Sequence, residues 1–241
     1  MKSLKLVLPV CGLLLLGDAV SAQRGKAGQD GTVDRPAYFT FSVLDATPTS
    51  TTLDNAASVE ALDVVVNSFD VSSGSTVTAA SIVDPKQPRT LVVKLYDASG
   101  ANLDGSVEIV GKNVFGQYVS DTLNFANGGG WAETTHAYAD VLRVDYALND
   151  EASGDLLHIS PYDGFGLPIR NAPSLVSVTV LSSGTATRTT AYTWDEDACV
   201  LKLTTPPAVG DVVTVTAFQT GYIDPIGGAA PAATASTSAL P

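Results

Sequence analysis

"QYVSDTLNF", residues 117–125, decides the fold class. Val119, Leu123 and Phe125 stand at odd positions, and Ser120, Thr122 and Asn124 at even ones. A two-residue period puts the apolar set on one face of a pleat and the polar set on the other. That is the half-buried pattern of an antiparallel sheet. The same signature recurs on both sides of this stretch. In "RTLVVKLYD" (89–97), Leu91, Val93 and Leu95 share a face and Lys94 points away from it. "AYFTFSVL" (37–44), "ALDVVVNSFDV" (61–71), "GSVEIVG" (105–111), "AYADVLRVDYAL" (137–148) and "DLLHIS" (155–160) are further runs rich in β-branched, aromatic and aliphatic residues. Turn clusters separate them: "DASGANLDG" (97–105) and "ANGGGWAE" (126–133) supply glycines where a positive φ costs little. Only "TLDNAASVEALD" (52–63) reads as a short helix, with Asp54 or Asn55 as its cap.

The texture resets after "GFGLPIRNAPS" (164–174), where Pro168 and Pro173 bracket a junction. "SLVSVTVL", "ATRTTAYTW", "CVLKL" and "DVVTVTAF" then follow at short intervals, with "DEDA" and "TTPPAVG" as turns. The expected architecture is all-β. An Ig-like antiparallel β-sandwich covers residues 36–171 and a smaller C-terminal β unit covers 172–222. Residues 1–35 form an extended N-terminal arm, or a signal peptide over 1–22 plus a linker. Residues 223–241 form an Ala/Pro/Ser/Thr tail with no apolar face to bury.

The 241 residues carry a formal net charge of −12 and a pI of 4.3, which argues against a general phosphate-neutralising surface and so against direct nucleic-acid binding. Apolar residues make up 45% of the chain, enough for a packed core. The opening "MKSLKLVLPVCGLLLLGDAVSAQ" supports two readings. Lys2 and Lys5, the apolar run Leu6–Leu16 and the small residues Val20-Ser21-Ala22 have the layout of an export signal cleaved after Ala22. The run is too short for a bilayer anchor, so no membrane span is expected. Pro9 and Gly12 interrupt a helical signal core and suit an extended arm instead.

Chemistry is sparse. His136 and His158 lack metal-ligand spacing and read as strand or turn residues. No nucleophile elbow, phosphate-cradling loop or dinucleotide fingerprint occurs. "DASGANLDG" begins like a calcium loop, but Ala101 and Leu103 fall where oxygen ligands are needed. "DEDA", with Asp195 and Asp197, is an acidic turn that could hold a cation weakly. Cys199 reads as a small buried thiol. Trp131, in the Gly-rich loop, is the candidate for stacking on a sugar ring; Trp194, alternating with Tyr192, reads as core or sheet surface. The expectation is therefore a non-enzyme with no catalytic, cofactor or metal site.

Two stretches together resemble a known class: "VEIVGKNVFGQYVSDTLNFANGGGWAETTHAYADVLRV" (107–144) and "GDLLHISPYDGFGLP" (154–168). The first has a strand ending in Gly-x-Asn, a Phe-Gly turn, Ser-Asp-Thr-Leu and a Gly-rich loop before Thr-Thr-x-Ala-Tyr. The second is an apolar strand followed by an Asp-Gly turn and Gly-Leu-Pro. The pair is similar to β-rich virion structural proteins of tailed bacteriophages, in particular head decoration (cement) proteins. The likeness covers residues 105–220. It departs from that pattern at Asp121, where such proteins often carry Glu, and at Ser160-Pro161, where glycine is more usual.

The resemblance implies a capsid decoration protein that stabilises the assembled phage head by bridging major capsid subunits. The implied partners are the major capsid protein and neighbouring copies of the chain, in an oligomeric arrangement on the lattice. The implied location is the virion surface after synthesis in the host cytoplasm, and Leu8, Leu14, Leu15 and Phe39 become the candidate partner contacts. The alternative is an exported bacterial surface or periplasmic Ig-like binding protein, secreted after cleavage at Ala22.

Overall fold

The computed structural model describes residues 35–48, 65–72, 74–98, 100, 103–126, 130–170 and 172–219. The helix expected at 52–63, the cleavage site, most of the arm, the tail, and Leu8, Leu14 and Leu15 lie outside the described residues. What is described is all-β and sandwich-like, with thirteen antiparallel strands and a single 3-10 turn at Ala79–Ser81. No helix among the described residues is long and apolar enough to cross a membrane.

β4 (Asp104–Lys112) and β5 (Tyr118–Phe125) form the hairpin that the alternation at 117–125 predicts, and β7 (Asp140–Asn149) pairs on the other side of β4. Asn113 closes the hairpin turn. Its Oδ1 accepts the Phe115 and Gln117 N–H groups at 3.0 and 3.1 Å, while Gly116 takes φ +72°. The β4–β7 register slips between Val110 and Gly111. Gly111 there lies against the Asp140 carbonyl and the Tyr138 ring, leaving no room for a Cβ.

β3 (Arg89–Tyr96) and β8 (Leu156–Gly166) form the spine of a second sheet, with β2 (Val66–Asp70) on β8 and β6 (Gly130–Glu133) on the far side of β3. Seven of the eight residues of β3 are buried, so both of its faces are covered. Leu91, Val93, Leu95, Leu157 and Ile159 meet Val107, Ile109, Phe125, Val144 and Tyr146 to form the first core.

A third sheet holds β1 (Arg35–Ser42), β13 (Val212–Gln219), β9 (Leu175–Ser182) and β10 (Thr185–Thr189), in that order. β11 (Tyr192–Asp195) and β12 (Val200–Leu203) join the end of β8. The second core lies between these layers, with Phe165, Leu167, Ile169 and Leu201 against Val178, Val213, Val215 and Ala217.

Three features depart from the linear reading. β1, which chain order assigns to the 36–171 unit, pairs with β13 from Arg35↔Gln219 to Ser42↔Val212 and buries its inner face in the second core. "PYDGFG" (161–166) stays in β8 rather than turning. A register slip opposite Arg89 and Leu91 accommodates Pro161, and the Gly164 N–H bonds Thr90 Oγ1 at 2.9 Å. β8 thus carries Leu157 and Ile159 into the first core and Phe165 into the second. Finally, "ATRTTAYTW" is two strands, β10 and β11, in different sheets.

Candidate functional site

Arg89 sits where the two cores meet and is fully buried. Its Nε donates to the Tyr162 carbonyl at 2.6 Å, Nη1 to the Asp45 carbonyl at 3.2 Å and Nη2 to Thr47 Oγ1 at 2.6 Å. The guanidinium also lies over the Phe165 ring, 4.2 Å from its centroid. Burial pulls its pKa down to about 10, with Asp45 and Asp163 opposing, so it remains a cation at neutral pH. This is a structural rivet, with every named partner an acceptor or a π-face.

Asp121 is a second rivet, at one of the positions where the phage resemblance departs. Its Oδ1 accepts the Thr135 N–H at 3.2 Å; Oδ2 accepts the His136 N–H at 3.2 Å and the Tyr138 hydroxyl at 2.9 Å. Burial and then the Asp121 charge push the Tyr138 phenol well above its ordinary pKa, so it serves as a fixed donor. His136 Nδ1 lies 3.2 Å from the same carboxylate. His158 lies inside β8, almost fully buried, with Nδ1 accepting the Ser68 N–H at 3.3 Å. Burial first and Lys94 second depress its pKa, so it is neutral at pH 7.

The acidic turns spend their carboxylates on backbone. Asp97 Oδ1 accepts the Gly100 N–H at 2.6 Å and its Oδ2 the Leu103 N–H at 3.3 Å; Asp195 Oδ1 accepts the Ala198 N–H at 2.9 Å. Among the described residues no set of three or more His, Cys, Asp or Glu is placed to hold a metal ion. Cys199 is buried at φ +53° in the turn before β12, its thiol donating to the Glu196 carbonyl at 3.3 Å and pushed up in pKa by burial. Trp194 is half-buried, its Nε1 donating to the Ala172 carbonyl at 2.6 Å, and Tyr192 donates to the Leu175 carbonyl at 3.2 Å.

Two surfaces among the described residues bear on ligand or partner binding. The first is the corner where β1 begins and β13 ends. Phe39, the one candidate contact among the described residues, turns inward there. It lines an apolar cavity of about 140 Å³ with Phe41, Pro88, Val114 and Phe165, and its ring centroid is 5.9 Å from that of Phe41. The aromatics presented outward are Tyr38 at 72% exposure and Phe218 at 47%. The pairings Pro36↔Phe218 and Tyr38↔Thr216 set these two diagonally on one sheet face.

The second surface is a cleft of about 460 Å³ lined by Glu133, Thr135, Thr193, Trp194, Asp195 and Lys202. Lys202 Nζ is hydrogen-bonded to Glu133 Oε1 and lies 3.5 Å from Asp163 Oδ1. Burial raises the Glu133 pKa, the Lys202 hydrogen bond opposes it, and Asp163 adds to the rise. Trp131 keeps 38% of its surface exposed and lies 6.0 Å from the Tyr162 ring, the two planes tilted by 54° rather than coplanar. Glu133, Asp163 and Lys202 carry no motif; strand pairing alone brings them together. No family model matches the sequence, and no curated protein or solved structure matches it either.

Proposed function

We propose that the chain is a structural docking protein with an Ig-like β-sandwich, a decoration protein of a tailed-phage head that bridges major capsid subunits. The observation that carries this reading is the Arg35↔Gln219 pairing. Residues 1–34 and residues 220–241 both attach to the β domain at that corner, beside the outward-facing Tyr38 and Phe218. Two chain extensions and an exposed aromatic pair at one point suit attachment to a protein lattice, where large rigid aromatics make strong contacts. A ligand that binds only the assembled shell stabilises it by mass action, and the net charge of −12 keeps the decorated particle soluble.

The test compares heads prepared with and without the chain for their temperature of DNA release. Decorated heads survive to higher temperature, and Tyr38→Ser with Phe218→Ser removes that gain while leaving the melting of the free protein unchanged. Equal survival of bare and decorated heads refutes the reading. The Lys2/Lys5 leader favours the exported alternative. A mature chain beginning at Gln23 supports that alternative, whereas one retaining Leu6–Leu16 supports the arm.

A further inference from the structure

Apart from the corner on which the docking proposal rests, the cleft between β6 and the β11–β12 hairpin has the size of a small-molecule site and a polar lining. Its volume of about 460 Å³ lies inside the range of roughly 300–1,000 Å³ over which proteins enclose small ligands. Its polar groups are of both kinds. Glu133 and Asp195 offer acceptors, Lys202 offers donors, and the Thr135 and Thr193 hydroxyls offer either, with Asp163 next to the lining, behind Lys202. One ammonium serves both Glu133 and Asp163. Asp163 Oδ1 is buried, accepts no hydrogen bond, and has only the 3.5 Å approach of Lys202. It is an acceptor that still lacks a donor.

An aromatic surface adjoins Glu133 on the same strand. Trp131 is two residues before Glu133 on β6, so both side chains leave the same face of the strand, away from the first core that Ala132 packs against. Tyr162 adjoins Asp163 on β8 and meets the Trp131 ring from the side. The two planes form a corner, with Trp131 as the exposed wall. Sugars match such an arrangement. Their hydroxyls donate to carboxylates while accepting from an ammonium, and their C–H faces pack on indole. A metal ion does not match it, since no group of three or more ligating side chains converges among the described residues.

We infer that this cleft is a saccharide-binding site. Trp131 stacks on a ring face, and Glu133, Asp163 and Lys202 hold adjacent hydroxyls. Three carboxylates outnumber Lys202 and Lys94, the cross-strand partner of Trp131, and leave the site net negative, so it takes neutral or amino sugars and rejects uronates and sulfated sugars. The site lies away from the Tyr38–Phe218 corner in sequence and in sheet membership, so its test is separate from the test of the docking role.

The experiment applies the purified full chain to a printed array of neutral, amino, uronate and sulfated oligosaccharides, then measures the retained sugars by calorimetry. Neutral or amino sugars are expected to bind saturably. Trp131→Ala and Glu133→Gln each weaken binding by about tenfold, the scale of one aromatic or hydrogen-bonded contact, with unchanged thermal melting. If either variant melts lower, Trp131→Phe, which keeps a ring at the strand edge, takes its place and is expected to weaken binding less. Retention of no sugar overturns the inference. So does undiminished binding by well-folded Trp131→Ala and Glu133→Gln proteins, or retention of sulfated and uronate sugars alone.

Discussion

Replacing Arg89 by methionine tests the joint between the two cores. Methionine keeps an unbranched apolar stem but supplies no donor, so the carbonyls of Tyr162 and Asp45 and the Thr47 hydroxyl all lose a partner. Two of these acceptors are backbone groups that no side-chain substitution can remove. Each unmet buried group costs about 1–3 kcal/mol, and breaking a buried ionic site by removing one member costs about 3–5 kcal/mol. Loss of the guanidinium over Phe165 adds to this. Buried ion clusters can be replaced by apolar side chains at no cost only when all the members change together, which is impossible here. The expected loss is therefore about 3–5 kcal/mol, a large part of the roughly 5–15 kcal/mol of a typical domain.

Urea unfolding followed by tryptophan fluorescence measures it. Trp131 lies on β6 and Trp194 packs on the second core, so variants retaining one tryptophan report on the two sides separately. Both midpoints fall together, because the side chain bonds the Asp45–Thr47 segment and β8 at once. Arg89→Lys recovers only part of the loss, since an ammonium cannot reproduce the planar fork. A loss below about 1 kcal/mol, the size of an ordinary substitution, refutes the reasoning.

Three other outcomes follow from the same structure. His158 has a folded pKa below its unfolded value of about 6.5, so the unfolded chain binds the extra proton. Its contribution is complete above about pH 6.5 and is lost as pH falls toward the folded pKa; subtracting the urea midpoints of His158→Gln from those of the wild type between pH 8 and pH 5 exposes this slope. Tyr138→Phe leaves the Ile109 carbonyl and Asp121 each short of a donor and lowers stability by about 1–3 kcal/mol in thermal melts; an unchanged melt would exclude a structural role for that hydroxyl. Gly111→Ala forces a methyl against the Asp140 carbonyl and the Tyr138 ring, costing about 1–3 kcal/mol, whereas Gly116→Ala meets no atom within 4 Å and is penalised only through its φ of +72°.

Most of the strands were legible in the chain. The alternation at 117–125 lies in β5, "RTLVVKLYD" contains β3, and "GSVEIVG" lies in β4. The misread segments are those where a local cue met a tertiary override. Pro161, Asp163 and Gly164 signal a turn, yet strand pairing with β3 and β12 holds them extended. Trp131 stood out by its residue type. Glu133 and Lys202, 69 positions apart, did not, though a lysine inside "VLKL" hints at a polar partner. Arg89, between Pro88 and Thr90, bears no local mark of its burial.

The amino-acid sequence by itself determined most of the strands and the apolar face of those that alternate, such as β5. That alternation is set within a few residues by the pleat. Only the tertiary structure decided that the first described strand closes on the last, that β8 serves two cores, and that Arg89 joins them. It also assembled the cleft at Glu133, Asp163 and Lys202. Those outcomes depend on long-range pairing between segments whose own periodicities are satisfied equally well by other partners.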